Sequence, residues 1–311
     1  MKVDSYLQQL QQTGSFRFDR LNIDGIGNEP VLQLNVPEMV EQEICLFHRD
    51  ISSGNLYLDR LHSLVEKNIA TKNAFPIVRF ADGEYAFYRF SLKCNGLYQQ
   101  AENAAAIRRV IPAHVEAMRL VARDGKLAPL IFPGNTHRKT KGFFSFLHKS
   151  KDDDSAIRFL DFLIQNGIEL TRDNYIPFYA VYAYLATGRF ARLLDGKSVC
   201  IVNPAFNKEA FRTWFTAFSS TPRLYHVPIP ASYVATRWDT VRNAVLSSIP
   251  SDIDLCLIGA GIGALQVTVD IAEHFSVPAF DAGHIMNMMN GRMDISGGPR
   301  LYTKYNNDYK H

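Results

Sequence analysis

Two carboxylates stand one residue apart in "IVRFADGEYAFYRF", residues 77–90: Asp82 and Glu84, with Gly83 between them and Arg79 just upstream. An Asp-x-Glu pair in a loop aims two hard oxygen ligands at one point, and the glycine permits a tight turn. Such ligands suit Mg²⁺ or Mn²⁺, which keep several waters and bind substrate phosphates. Arg79 could neutralise one carboxylate or contact a phosphate. The competing reading is a plain junction between strand and helix, with Glu84 as a charge at a helix N-terminus.

A second candidate is "LIGAGIGALQ", residues 257–266, which places Gly259, Gly261 and Ala264 at G-x-G-x-x-A spacing. Asp281 closes the next predicted strand, as the ribose-binding acid does in the dinucleotide fingerprint. That pattern would point to NAD, yet only about 50 residues follow Gly259, too few for the second half of such a fold. A weaker inference is that N–H groups at a helix start cradle a phosphate. His284 could be a ligand, a base or a donor to a diphosphate, or a structural histidine. The basic loop "NTHRKTK", residues 135–141, could hold a diphosphate or an acidic acceptor, or be a solvated loop. Met286, Met288, Met289 and Met293 read as packing.

These residues need elements to hold them. Apolar runs predict strands at 75–80, 127–132, 197–203, 223–230, 254–260 and 277–282. Helical spacing predicts helices at 52–70, 101–123 with a break at Pro112, 153–166, 207–219, 237–248 and 262–274. Asn207 is a candidate cap, with Phe206 stapled onto Phe211. The stretch "YIPFYAVYAYLA", 175–186, reads as a buried helix or a wall of aromatics. Continuous apolar strands alternating with helices predict an α/β fold: a mainly parallel, Rossmann-like, doubly wound sheet with helices on both faces. Ligands of such sheets lie beyond the carboxyl ends of the strands. Asp82, Glu84, His137, Asn203, Gly259, Gly261, Asp281 and His284 all fall at those ends.

The bulk numbers agree with one large core: 311 residues, 47% hydrophobic, with 34 basic against 31 acidic side chains and a net charge of +3. A nucleic-acid binder shows a stronger basic excess. The four cysteines have no metal-ligand spacing, which argues against zinc and for a reducing, cytoplasmic setting. No stretch approaches the ~20 apolar residues of a membrane span; peripheral contact with the inner face of a membrane stays open. The chain has no G-x-S-x-G, no Walker A loop and no H-E-x-x-H, so hydrolase and kinase readings lack support.

Together these pieces resemble the GT-D-fold glycosyltransferases of bacteria, over roughly residues 55–290. That family carries "RFGDGE" after its first strand, where this chain has "RFADGE", Arg79 to Glu84. Its last βαβ unit reads like "ALGPTATVLAYDLAKLGYQAIDIGHID"; residues 257–286, "LIGAGIGALQVTVDIAEHFSVPAFDAGHIM", keep that layout with "GPTA" replaced by "GAGIGA". "GKSVCIVNP" and "YHVPIPASYVATRWDTVRNAV" stand where the family has its nucleotide-side strand and its "CP…AF…YD.I" segment. The resemblance implies transfer of a sugar from a nucleotide-sugar donor, a UDP-sugar, to a glycan, lipid-linked or protein acceptor. It makes Asp82 and Glu84 the Mn²⁺ or Mg²⁺ and diphosphate site, and His284 the family's histidine and third catalytic candidate. Arg79, Gly83, Asn203, Pro204, Gly259, Gly261 and Asp281 then border the donor. The expected organisation is an N-terminal extension, 1–50, packing on a catalytic domain, 51–290, followed by a tail, 291–311. The alternatives are an NAD- or nucleotide-dependent enzyme using the glycine loop and Asp281, and a non-catalytic nucleotide-sugar binder.

Overall fold

The structure, a computed structural model, describes residues 54–136 except 97, residues 154–291, residues 43, 44, 46 and 47, and five short strands at 15–16, 25–26, 29–30, 32–34 and 301–303. Six strands form one sheet: β1 Phe75–Phe80, β2 Lys126–Pro129, β3 Ser198–Val202, β4 Arg223–Val227, β5 Leu255–Ile258 and β6 Pro278–Asp281. Their order is β2-β1-β6-β5-β3-β4, and every pairing is parallel. All six carboxyl ends therefore open on one edge. The four inner strands are buried along their whole length because helices cover both faces, while the edge strands β2 and β4 carry Lys126, Arg223 and His226. The mixed α/β class with a parallel, doubly covered sheet is the one expected.

Among the described residues ten helices surround the sheet: α1 Gly54–Thr71, α2 Asp82–Phe87, α3 Ala104–Asp124, α4 Ser155–Gln165, α5 Phe178–Leu185, α6 Gly188–Leu193, α7 Lys208–Thr216, α8 Val234–Ser248, α9 Ala264–Phe275 and α10 His284–Met289. Side chains alternate along β1: Phe75 and Ile77 enter a core with α1, α5, α6, α7 and α10, while Val78 and Phe80 enter the opposite core with α3, α4 and α9. The caps are local. Asn103 accepts the Ala106 N–H at 2.9 Å to open α3, and Asn207 accepts the Ala210 N–H at 3.1 Å to open α7. Phe206 staples onto Phe211 with ring centroids 5.1 Å apart.

Helix α5 is apolar all round, which fits its burial. Its N-terminus follows Pro177, and its first N–H groups are satisfied from a distant segment: Glu43 accepts from Phe178 at 2.5 Å and Tyr179 at 3.1 Å. Burial pushes the Glu43 carboxyl up to about 8, against the pull of those N–H groups.

Three expectations need correction. The Asp-x-Glu pair lies in the first turn of helix α2 and not in a loop, and Gly83 is absent from the positive-φ positions, so no tight turn demands it. Helix α3 runs through Pro112 without a break: Pro112 and Arg108 are exposed, so the ring and the carbonyl it frees face water. Helix α8 starts at Val234, three residues before the expected start, and α6 and α10 were not foreseen. His137, Met293 and most of the 135–141 loop lie outside the described residues.

Candidate functional site

The site begins where β1 and β6 end. Arg79 is the one charged residue of β1 and is 6% exposed. Its Nη2 meets Asp281 Oδ1 at 2.8 Å, its Nε donates to the Asp281 carbonyl at 2.9 Å, and its backbone N–H donates to Asp281 Oδ2 at 3.3 Å. The guanidinium also lies over the Tyr182 ring, 4.0 Å from the centroid, and 5.1 Å from that of Phe178. Burial alone would lower the pKa of Arg79, but the charge and hydrogen bond of Asp281, with Tyr182 and Glu84, together turn the net shift upward. Gly283, at φ 45°, leaves room for this group: a Cβ there would collide with Arg79 Nη2. Asp281 is thus engaged on both oxygens by Arg79 of β1.

Across the same edge, α2 presents Asp82 and Glu84. Asp82 is exposed, and Glu84 is half-buried. Glu84 Oε2 turns back to accept the Ala81 N–H at 2.8 Å, closing the first turn of α2. Burial pushes the Glu84 carboxyl up to about 7, helped by the nearby Asp281 charge and opposed by the Ala81 N–H. A Cβ at Gly83 would meet nothing within 4 Å.

The glycine loop is filled by protein. Gln100 Oε1 accepts the Ile262 N–H at 2.9 Å, and a Cβ on Gly261, at φ 56°, would lie 2.5 Å from that oxygen. Gly259 leaves space for Asn203, whose Oδ1 a Cβ would approach at 2.8 Å, and Gly263 for Val234 Cγ1 at 2.6 Å. Each glycine admits a neighbouring chain segment, and the Gly259 and Ile262 N–H groups are already used, on Val202 O and Gln100 Oε1. Asn203 is fixed from both sides: its Nδ2 donates to Ala205 O at 2.7 Å, and its carbonyl accepts from His226 Nε2 at 2.8 Å.

All ten candidates (Arg79, Asp82, Gly83, Glu84, Asn203, Pro204, Gly259, Gly261, Asp281 and His284) line one cleft of about 820 Å³ at the carboxyl edge of the sheet. His284 opens α10 and is half-buried. The cleft also draws on residues the sequence did not single out, among them Lys93, Tyr98, Gln99, Tyr179 and Tyr233. For Tyr179 the aromatic run was a signal; the 93–99 stretch shows no periodicity that could have flagged it.

Among the described residues no group of three or more His, Cys, Asp or Glu side chains converges to hold a metal. Asp82 and Glu84 both line the cleft from α2, with one Glu84 oxygen held by the Ala81 N–H. That donor set fits a Mg²⁺ or Mn²⁺ ion that shares its ligands with a substrate diphosphate, since such ions are commonly held by one or two carboxylates plus phosphates. It does not fit a metal caged by protein alone. Among the described residues no helix is long and apolar enough to cross a membrane.

No family model and no curated protein matches the chain. Two solved structures resemble it. One is a selenomethionine-substituted structure of domain of unknown function 1792, with 17% identity, 83% of this chain and 93% of that chain covered, and a TM-score of 0.42. The other is described as showing that the highly conserved domain of unknown function 1792 has a distinct glycosyltransferase fold, with 16% identity, the same coverage of 83% and 93%, and a TM-score of 0.44.

Proposed function

We propose that the cleft binds a nucleotide-sugar, a UDP-sugar in the first instance, and that the protein is a glycosyltransferase. The observation that carries this reading is the convergence of Arg79–Glu84, Asn203–Pro204, Gly259–Gly261 and Asp281–His284 on one cleft at the carboxyl edge of a parallel sheet. These are the segments that carry the sequence resemblance to the GT-D-fold enzymes, and such edges are where α/β folds bind ligands.

In this reading Asp82 and Glu84 bind Mg²⁺ or Mn²⁺ together with the donor diphosphate, and the ion would offset the charge that develops on the leaving group. Arg79, locked by Asp281, Tyr182 and Gly283, fixes the floor between β1 and β6 beneath the diphosphate. His284 stands on the same edge, where it can meet the diphosphate or the acceptor hydroxyl. Asp281, with both carboxylate oxygens on Arg79, is not the base for that hydroxyl. The acceptor is a glycan, a lipid-linked glycan or a protein, placed at the cytoplasmic side of a membrane or in the cytoplasm.

A thermal-shift screen of nucleotide sugars with and without Mn²⁺ tests the reading. A ligand that binds only the folded state stabilises it by RT ln(1 + [L]/Kd), about 2.7 kcal/mol at a hundredfold excess over Kd. At least one nucleotide sugar should raise Tm, and more with Mn²⁺ than with chelator. Absence of any shift across the screen would count against it.

A further inference from the structure

The wall of the cleft beyond β4 and β5 differs from the charged wall beyond β1 and β6. Tyr233 stands just before α8 in the left-handed conformation, φ 64°, ψ 17°. The residue that precedes a helix is normally extended, and left-handed backbone favours glycine or asparagine over an aromatic. Lys72, Phe90, Ser219 and Ser276 also have positive φ, but they follow the C-terminal ends of α1, α2, α7 and α9, where that conformation is usual, and Phe47, the remaining such residue, packs edge-on against Tyr175. Core packing does not explain Tyr233, which is half-buried and whose ring faces the Arg237 guanidinium at 5.1 Å. Strain of this kind collects at ligand sites.

The surroundings hold that conformation firmly. The Tyr233 N–H donates to Gln99 O at 2.8 Å, and Glu102 accepts from the Thr236 hydroxyl at 2.7 Å and pairs with Arg237. On the other side, the Asn95 carboxamide accepts the Gln100 and Ala101 N–H groups at 2.7 and 2.9 Å, which fixes the stretch after Tyr98. Tyr98 lines the same cleft and is 45% exposed.

We propose that Tyr233, with Tyr98, is the platform on which the nucleobase of the donor stacks. This rests on the nucleotide-sugar reading above and assigns the two walls of the cleft to the two ends of the donor. A base presents a flat π-face and a few edge donors and acceptors; this wall supplies two tyrosine rings and the neutral amide of Gln99. The ionic groups that suit a diphosphate lie beyond β1 and β6. Strands β1 and β5 are separated by β6, so about 10 Å divides their ends, a span that a nucleoside diphosphate bridges. A sugar ring would call for more polar partners than this wall offers.

Calorimetric titration with UDP and with inorganic pyrophosphate, in buffer containing Mg²⁺, tests the assignment on wild type, Tyr233→Gly, Tyr233→Phe and Tyr98→Ala. Tyr233→Gly should weaken UDP binding about tenfold or more, the scale of losing one base-stacking ring, and leave pyrophosphate binding unchanged. Its Tm should be equal to wild type or higher, because glycine relieves the left-handed backbone. Tyr233→Phe should bind UDP as wild type does, and Tyr98→Ala should lose UDP affinity in the same selective way. Equal UDP affinity in Tyr233→Gly and wild type would overturn the platform while leaving the nucleotide-sugar reading standing. So would a proportional loss of UDP and pyrophosphate, or competition for the site by free monosaccharides and not by uridine. If wild type binds none of UDP, GDP, CDP or TDP, the nucleotide-sugar reading fails and the platform with it.

Discussion

Gln100 Oε1 accepts the backbone N–H of Ile262 at 2.9 Å, so the side chain of one loop occupies the place where a dinucleotide fold would hold a phosphate. Gly261 is what allows this: its φ of 56° and missing Cβ leave the carboxamide its space. Gln100→Ala should strand a buried N–H and cost about 1–3 kcal/mol in chemical denaturation. Gly261→Ala should destabilise as well, through backbone strain and displacement of Gln100. A glycine loop serving only an external phosphate would leave stability unchanged in Gln100→Ala.

The Arg79–Asp281 pair is buried, with side chains 6% and 7% exposed and 2.8 Å between Nη2 and Oδ1. Removing one partner of such a pair leaves an uncompensated buried charge. Asp281→Ala should therefore lower the unfolding free energy by about 3–5 kcal/mol. Replacing both residues with apolar side chains of similar volume should cost less than the single change, and a double-mutant cycle reads the difference.

Two glycines just past neighbouring strand ends, Gly83 three residues beyond β1 and Gly283 two beyond β6, should respond in opposite ways to alanine. At Gly283 a Cβ collides with Arg79 Nη2 on a backbone at φ 45°, so Gly283→Ala should destabilise strongly. At Gly83 a Cβ meets nothing within 4 Å and the residue is helical, so Gly83→Ala should hold or raise Tm, by about 0.5–1 kcal/mol of helix propensity. If Gly83→Ala nonetheless loses nucleotide-sugar binding, the glycine serves the close approach of the ligand.

Much of this fold is legible in the chain itself. The four inner strands are mostly apolar runs because both faces are covered, and the Asn207 cap and Phe206–Phe211 staple are local signals. Helix α2 escaped because six residues carry too little periodicity, and its Asp-Gly-Glu reads equally well as a turn. The engagement of Asp281 by Arg79 joins residues 202 positions apart, and it depends on β6 pairing with β1, an adjacency the strand sequences do not encode. Gln100 and Tyr233 were invisible for a similar reason. Their roles come from which loops the sheet order brings together at its carboxyl edge.

The contribution of one buried histidine to stability should fall in mild acid. His114 is fully buried, with Nε2 facing the Ala235 carbonyl at 2.9 Å and Nδ1 facing the Tyr88 hydroxyl at 3.0 Å, so Nε2 donates and Nδ1 accepts. Burial pushes its pKa from 6.5 down to about 4. The folded state therefore favours the neutral ring: this contribution is complete above pH 6.5 and is lost as pH falls toward 4. The full span is worth roughly 3 kcal/mol. The buried Glu43 and Glu84 carboxyls, raised to about 8 and 7, act in the opposite sense, so the His114 effect is read as a difference: the unfolding free energy of wild type minus that of His114→Asn should fall between pH 7 and pH 4.

The central claim is that Asp82 serves a nucleotide-sugar in this cleft and not the fold. Asp82 is exposed in the first turn of α2, whereas Glu84 closes that turn. The most direct measurement is release of nucleoside diphosphate from a panel of nucleotide sugars, with Mn²⁺ or chelator, by wild type and Asp82→Asn of matched melting temperature. The account predicts metal-dependent release from at least one donor, reduced about a hundredfold or more in Asp82→Asn without loss of Tm. Full activity in Asp82→Asn, or no release from any donor by a wild-type protein saturated with it, would contradict the claim.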